Sequence, residues 1–301
     1  MVNIRMYLCD EELISCSFSC DGKVTACGGV TGNFFLTVNR FHSFKTKIFK
    51  IHEGPINRIF FDKKNFYTAS SDKTCRIWNP ETSQILRTLN LNNEKATYID
   101  LINNLIITAG NRGTLKLWDQ RIQCPIGNFF HGFPILNSNF LKSGHTFVSC
   151  GISPNLFLWD IRNYKKYCSV FSLVGHRTSI YSSSLSNYDF SLFSIDFNNL
   201  VCRWIFELSK NLAKCYFLKS EKIFPKALKP SFYKITCDSL GKIFAQGGLN
   251  GSVYFKNQKK GKIIQKIKSH SWGRVNDVKF HPSNRIFGSC GEDGFLNIKE
   301  F

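Results

Sequence analysis

Apolar and polar residues alternate in short runs along nearly the whole chain, and clusters of Gly, Asn, Asp and Ser separate the runs. A period of two over a few residues, bounded by turn formers, predicts β-strands. A short extended stretch, Ile4 to Leu8, and an acidic turn, Asp10-Glu11-Glu12, come first. Predicted strands then fall into sets: Leu13 to Phe18, Val24 to Cys27 and Phe34 to Val38; Ile56 to Phe61, Phe66 to Ala69 and Thr74 to Trp78; Ala96 to Leu101, Leu105 to Ala109 and Thr114 to Trp118. Ile135 to Leu141, Thr146 to Cys150 and Leu156 to Trp159 form a fourth set, and Ser179 to Leu185, Phe190 to Ile195 and Leu200 to Trp204 a fifth. The sixth is Phe232 to Cys237, Ile243 to Gln246 and Ser252 to Phe255; the seventh is Val275 to Phe280, Ile286 to Ser289 and Phe295 to Ile298. One further strand, such as Ile85 to Leu89, links each set to the next.

The sets repeat a phrase. Lys116-Leu117-Trp118-Asp119-Gln120-Arg121 returns as Phe157-Leu158-Trp159-Asp160-Ile161-Arg162, with weaker copies at Arg76-Ile77-Trp78-Asn79 and Cys202-Arg203-Trp204-Ile205. The units end near residues 37, 78, 118, 159, 204, 256 and 299, with Thr37, Lys256 and Lys299 where Trp stands elsewhere. Four strands per unit at a period of roughly 40 to 45 residues predict an all-β, seven-bladed β-propeller as a single domain over residues 1–301. The seventh marker has no chain after it to supply an outer strand. Ile4 to Leu8 is therefore predicted to pair with the last blade and close the ring, leaving no open edge. Only residues 207–230 break the period, and their Lys210, Lys214, Lys219, Lys222, Lys226 and Lys229 predict a basic loop.

A tryptophan at a buried strand end needs an acceptor for its indole N–H. His52, Thr68 or Ser70, Asp72 and Trp78 offer a hydrogen-bonded set in the second blade. His176, Asn198 and Trp204 offer a partial one in the fifth, and His270 with Asp293 another in the seventh; Trp118 and Trp159 mark the blades between. Recurrence of this spacing with the blade argues for a structural network, not a hydrolase triad. Glycine-rich phosphate loops, paired metal-ligand spacings and nucleophile motifs are absent, so no enzyme activity, cofactor, metal or small-molecule substrate is expected.

Composition adds less. Hydrophobic residues make up 43% and aromatics 15%, ample for a core. No apolar stretch of about 18 residues and no signal-peptide pattern occur, so neither membrane insertion nor export is expected. Twelve cysteines stand singly, mostly within strand patterns, which predicts free thiols in a reducing compartment. The formal charge is +19, with 19 basic against 7 acidic residues in the last third. Attraction to RNA and codon drift toward lysine both account for it. Lys73, Lys95, Arg112, Arg177 and Arg274 stand in loops on the side of the His and Asp positions, one from each of five units. Together with Lys219, Lys222 and Lys226 they are the candidate partner contacts.

The succession of Gly113 to Asp119, Phe157 to Arg162 and Asn198 to Trp204, followed by a stretched connection and Val275-Asn276-Asp277-Val278-Lys279-Phe280-His281-Pro282, resembles the WD-repeat subunits of the spliceosomal U5 small nuclear ribonucleoprotein. The chain departs from that pattern in lacking Trp in the first and sixth blades. The resemblance implies a nuclear, non-catalytic scaffold in pre-mRNA splicing that docks on the large U5 proteins, with RNA contact indirect. A propeller adaptor of a ubiquitin ligase or of ribosome assembly, and direct RNA binding through the basic connection, are the alternatives.

Overall fold

The computed structural model describes residues 3–40, 43–166, 169–186, 191–208, 215–224, 234–238, 240–257, 263–283 and 285–301. Their strands form seven four-stranded sheets, and the protein is an all-β, seven-bladed β-propeller. Inner strands are Leu13–Phe18, Ile56–Phe61, Ala96–Ile102, Ile135–Phe140, Ile180–Leu185, Ile235–Cys237 and Val275–Phe280. Six sheets keep chain order from inner to outer strand. In the seventh, Asn3–Tyr7 lies outermost and pairs antiparallel with Phe295–Glu300, in register from Asn3↔Lys299 to Tyr7↔Phe295. The first and last strands of the chain thus share one sheet, as the spare N-terminal strand predicts.

Two compact units make up the chain: Met1–Ala96 with Ala245–Lys256 and Ile263–Phe301, and Thr97–Phe244 with Asn257–Lys262. In the first unit, both faces of a blade are apolar because both are packed. Leu13, Cys16, Phe18, Cys27 and Phe35 meet Cys290, Leu296 and Ile298, while Ala26, Phe34 and Leu36 meet Ile56, Ile59, Phe66 and Trp78. The Phe66 ring stacks between Phe34 at 4.9 Å and Trp78 at 5.8 Å. Near the C-terminus Phe301 stacks on Phe255 at 4.6 Å. In the second unit Tyr98, Ile107, Leu115 and Leu117 pack with Phe147 and Trp159, and Val148, Cys150 and Leu158 pack with Leu192, Cys202 and Trp204. Burying each such ring contributes on the order of 1.5–3 kcal/mol.

The turn between the second and third strands of most blades ends on a residue with positive φ. Glycine supplies it at Gly32, Gly113, Gly251 and Gly294, Asn199 in the fifth blade, and Lys73, at φ 74°, in the second. A side chain at Gly32 would also meet the His52 carbonyl oxygen at 2.1 Å, so both conformation and space require glycine there.

The connection over 207–230 departs from the predicted loop. Cys215–Phe224 is a ten-residue strand that pairs with Val201–Leu208 and forms the outer edge of the fifth blade, from Val201↔Phe224 to Leu208↔Cys215. Lysine-rich sequence hid the strand, because lysine on an edge strand is ordinary. Lys219 and Lys222 are on this strand; Lys226 lies outside the described residues. So do positions 232 and 233 of the predicted sixth inner strand, which is described as Ile235–Cys237. All cysteines described by their side chains are free.

Candidate functional site

In the second blade, Trp78 Nε1–H donates to Thr68 Oγ1 at 3.0 Å, and Thr68 Oγ1 lies 2.7 Å from His52 Nε2. His52 Nδ1 lies 2.7 Å from Asp72 Oδ2, and Asp72 also accepts from the Thr74 backbone at 3.0 Å. A neutral imidazole protonated on Nδ1 satisfies every partner: indole to hydroxyl, hydroxyl to imidazole, imidazole to carboxylate. Burial pushes the His52 pKa down, outweighing the attraction of Asp72, which keeps the ring neutral. Burial alone would raise the Asp72 carboxyl. Hydrogen bonds from His52 and Thr74 offset this and hold it well below the usual carboxylate range. The hydroxyl is Thr68; Ser70 instead donates to the Gly54 carbonyl at 3.0 Å.

The fifth blade has Trp204 Nε1–H donating to Ser194 Oγ at 2.7 Å, with His176 Nε2 2.6 Å from the same oxygen. Its carboxylate is Asp196, whose Oδ2 lies 3.3 Å from His176 Nδ1. Asn198 is corrected out of the network: it sits in the turn, where its backbone N–H donates to Asp196 Oδ1 at 2.9 Å. Counting from Trp pointed to Asn198 because the second-blade carboxylate lies in that turn, whereas here it occupies the position of Ser70. The seventh blade joins Asp293, His270 and Ser289 at 2.6 and 3.0 Å. Its Trp position holds Lys299, which donates to the Lys268 carbonyl at 2.9 Å.

Trp118 donates to Thr108 at 2.9 Å and Trp159 to Ser149 at 2.8 Å, so these blades keep the indole–hydroxyl bond. The repeated Trp-Asp-x-Arg phrase forms the same clamp twice. Arg121 Nε donates to Asp119 Oδ1 at 2.9 Å, and Arg162 Nε to Asp160 Oδ1 at 2.9 Å, each with a second bond from Nη2. Charge-assisted and two-pronged, these bonds tie off the turn after the strand. Thr108, Ser149, Ser194, Asp196, Ser289 and both arginines escaped the sequence reading of the network, although every Trp–hydroxyl pair spans ten residues and that interval was available.

The His52, His176 and His270 rings are buried and engaged with their carboxylates, so the exposed loops are where partners can be met. In the first unit Lys73 and Lys95 are exposed, whereas Arg274 is held between Glu12 Oε1 at 2.9 Å and Glu292 Oε1 at 2.8 Å. Two carboxylates neutralise that position as an attractive cation, a distant pairing that loop sequence does not reveal. In the second unit Arg112 and Arg177 are both exposed. Among the described residues no helix is long and apolar enough to cross a membrane.

The structure is a seven-bladed β-propeller with complete indole–hydroxyl–imidazole–carboxylate chains in the second and fifth blades. The WD domain, G-beta repeat family matches residues 43–79 and 261–298. The chain is similar to the U5 small nuclear ribonucleoprotein 40 kDa protein of Dictyostelium discoideum, with 23% identity over 96% of this chain and 81% of that protein. The Homo sapiens protein of the same name is 25% identical over 65% of this chain and 53% of its own length. Autophagic-related protein 16.2 of Caenorhabditis elegans is 24% identical over 79% of this chain and 44% of its own. This chain therefore spans about half the length of the latter two.

Proposed function

We propose that this protein is a non-catalytic scaffold of the U5 small nuclear ribonucleoprotein, acting in pre-mRNA splicing in the nucleus by docking large protein partners on its loops. The observation that carries the proposal is the match to a U5 40 kDa protein along 96% of the chain. The buried histidines and their carboxylates support a binding role, since they hold blades together and leave the loops to meet partners. A propeller suits that role because rigid sheets fix the loops at little further entropic cost on binding.

Sedimentation of a cell extract tests the proposal. The protein is expected to migrate with U5 RNA in a large particle and to shift to the position of smaller complexes when RNA is digested under conditions that disassemble the particle. Migration away from U5 RNA in the untreated extract would overturn it.

A further inference from the structure

The second unit exposes apolar side chains on two loops and at the end of the following outer strand. Phe133 is 49% exposed, Ile152 49% and Val174 71%. Neighbouring loops are joined by backbone hydrogen bonds. His131 N–H donates to the Gly113 carbonyl at 2.7 Å, and Ile152 N–H to the Pro134 carbonyl at 2.9 Å. The Phe133 backbone lies so close over Gly113 that a side chain there would meet its carbonyl oxygen at 2.8 Å. Beneath, the His131 imidazole accepts no water-facing role: it is buried, meets the Phe157 ring edge-on at 4.6 Å and directs Nδ1 to the Phe133 carbonyl at 2.9 Å. The Phe133 backbone is thereby anchored. Val174 lies across from Asn155 at the end of the outer strand, next along from the Ile152 turn.

Both ends of this strip are cationic. Exposed Arg112 precedes Gly113, and exposed Arg177 follows Val174 by three residues. The carboxylates of the same unit whose side chains are described are committed elsewhere. Asp119 and Asp160 are clamped by Arg121 and Arg162, Asp100 accepts from the Phe140 N–H at 2.8 Å, Asp196 faces His176, and Asp238 is buried and accepts from the Ile243 N–H at 3.1 Å. An apolar strip flanked by two guanidinium groups, on loops without an exposed carboxylate, complements a segment that is apolar in its middle and acidic at its ends.

We propose that Arg112, Phe133, Ile152, Val174 and Arg177 form a docking surface for an acidic, apolar-centred peptide segment of a partner protein. Two of its three apolar side chains are aliphatic and offer no plane for base stacking, which favours peptide over single-stranded RNA. Guanidinium groups meet carboxylates in two-pronged geometry, and the apolar side chains cover the strip between them. The surface stands on this chemistry whether or not the chain sits in a spliceosomal particle.

The test is fluorescence anisotropy on the full chain with the labelled peptide Glu-Asp-Glu-Leu-Phe-Asp-Glu-Asp. Saturable binding is expected. It should weaken about tenfold or more in Phe133→Ser, in the double variant Arg112→Glu/Arg177→Glu, and when Leu-Phe in the peptide is replaced by Ser-Ser. The arginine variant changes exposed positions only, so it keeps the test decisive if Phe133→Ser loses fold. No saturable binding, or equal binding of the Ser-Ser peptide, would overturn the proposal, the latter by showing mere attraction to a basic chain. Stronger binding of oligouridylate, lost in the same variants, would overturn it in favour of a nucleic-acid surface.

Discussion

Lys256 Nζ donates to Gln246 Oε1 at 3.0 Å, across the same ten-residue interval by which Trp204 reaches Ser194. The sixth blade has thus exchanged both members of the indole–hydroxyl pair and kept the hydrogen bond. The replacement is a cation, and burial pushes its pKa below the ordinary 10.5.

A pH-dependent stability contribution follows from that exchange. Between the lowered folded value and 10.5 the unfolded chain binds the proton more tightly, so stability rises with pH across that window. Lys256→Met removes the group. Urea melts at neutral and alkaline pH should show the wild type gaining on the variant as pH rises; parallel responses would refute the burial argument.

The hydroxyl positions are expected to differ in weight. Thr68→Val strands both the Trp78 indole and His52 Nε2, whereas Thr108→Val strands the Trp118 indole. At about 1–3 kcal/mol for each orphaned buried group, Thr68→Val should cost roughly twice as much. Equal losses in denaturant midpoints would deny the relay through His52. Trp78→Ala, which also empties the stack with Phe66, should cost about 3–5 kcal/mol.

Acid should unfold the protein in two stages. His52 and His131 both have pKa values pushed below 6.5, chiefly by burial, so their contribution is complete above 6.5 and declines as pH falls toward the folded values. The Asp72, Asp160, Asp196 and Asp293 carboxyls would be raised by burial alone. Bonds from His52, Arg162, His176 and His270 bring each below 3.8, so their contribution is full above that pH and is lost as pH falls through the folded values. His131→Phe should flatten the first stage and leave the second, as measured by chemical melts across pH.

Removing residues 1–9 takes away the outer strand of the seventh blade and bares the edge of Phe295–Glu300. The truncated chain should melt lower and aggregate through that edge. An unchanged melting temperature would mean that the pairing contributes little to stability.

The blades were legible because strand alternation and the Trp marker are local signals, repeated often enough to correct one another. Thr37, Lys256 and Lys299 could be placed at Trp positions by counting alone. What stayed hidden was set by distant or swapped partners. Asp196 took the place assigned to Asn198 because the carboxylate that meets the imidazole stands at the strand end in the fifth blade and in the following turn in the second. Arg274 looked like an available cation until Glu12, 262 residues away, came alongside it. The exposed strip from Arg112 to Arg177 was visible only by its two charges, since Phe133, Ile152 and Val174 belong to no repeated motif of the sequence.

We propose membership of a splicing particle for this chain. Gentle affinity purification of the tagged protein from its own cells, with the bound RNA sequenced and the proteins identified, tests it most directly. Enrichment of U5 RNA together with large spliceosomal proteins is the predicted result. Recovery of cullin-type ligase subunits or ribosomal precursors, without U5 RNA, would contradict it.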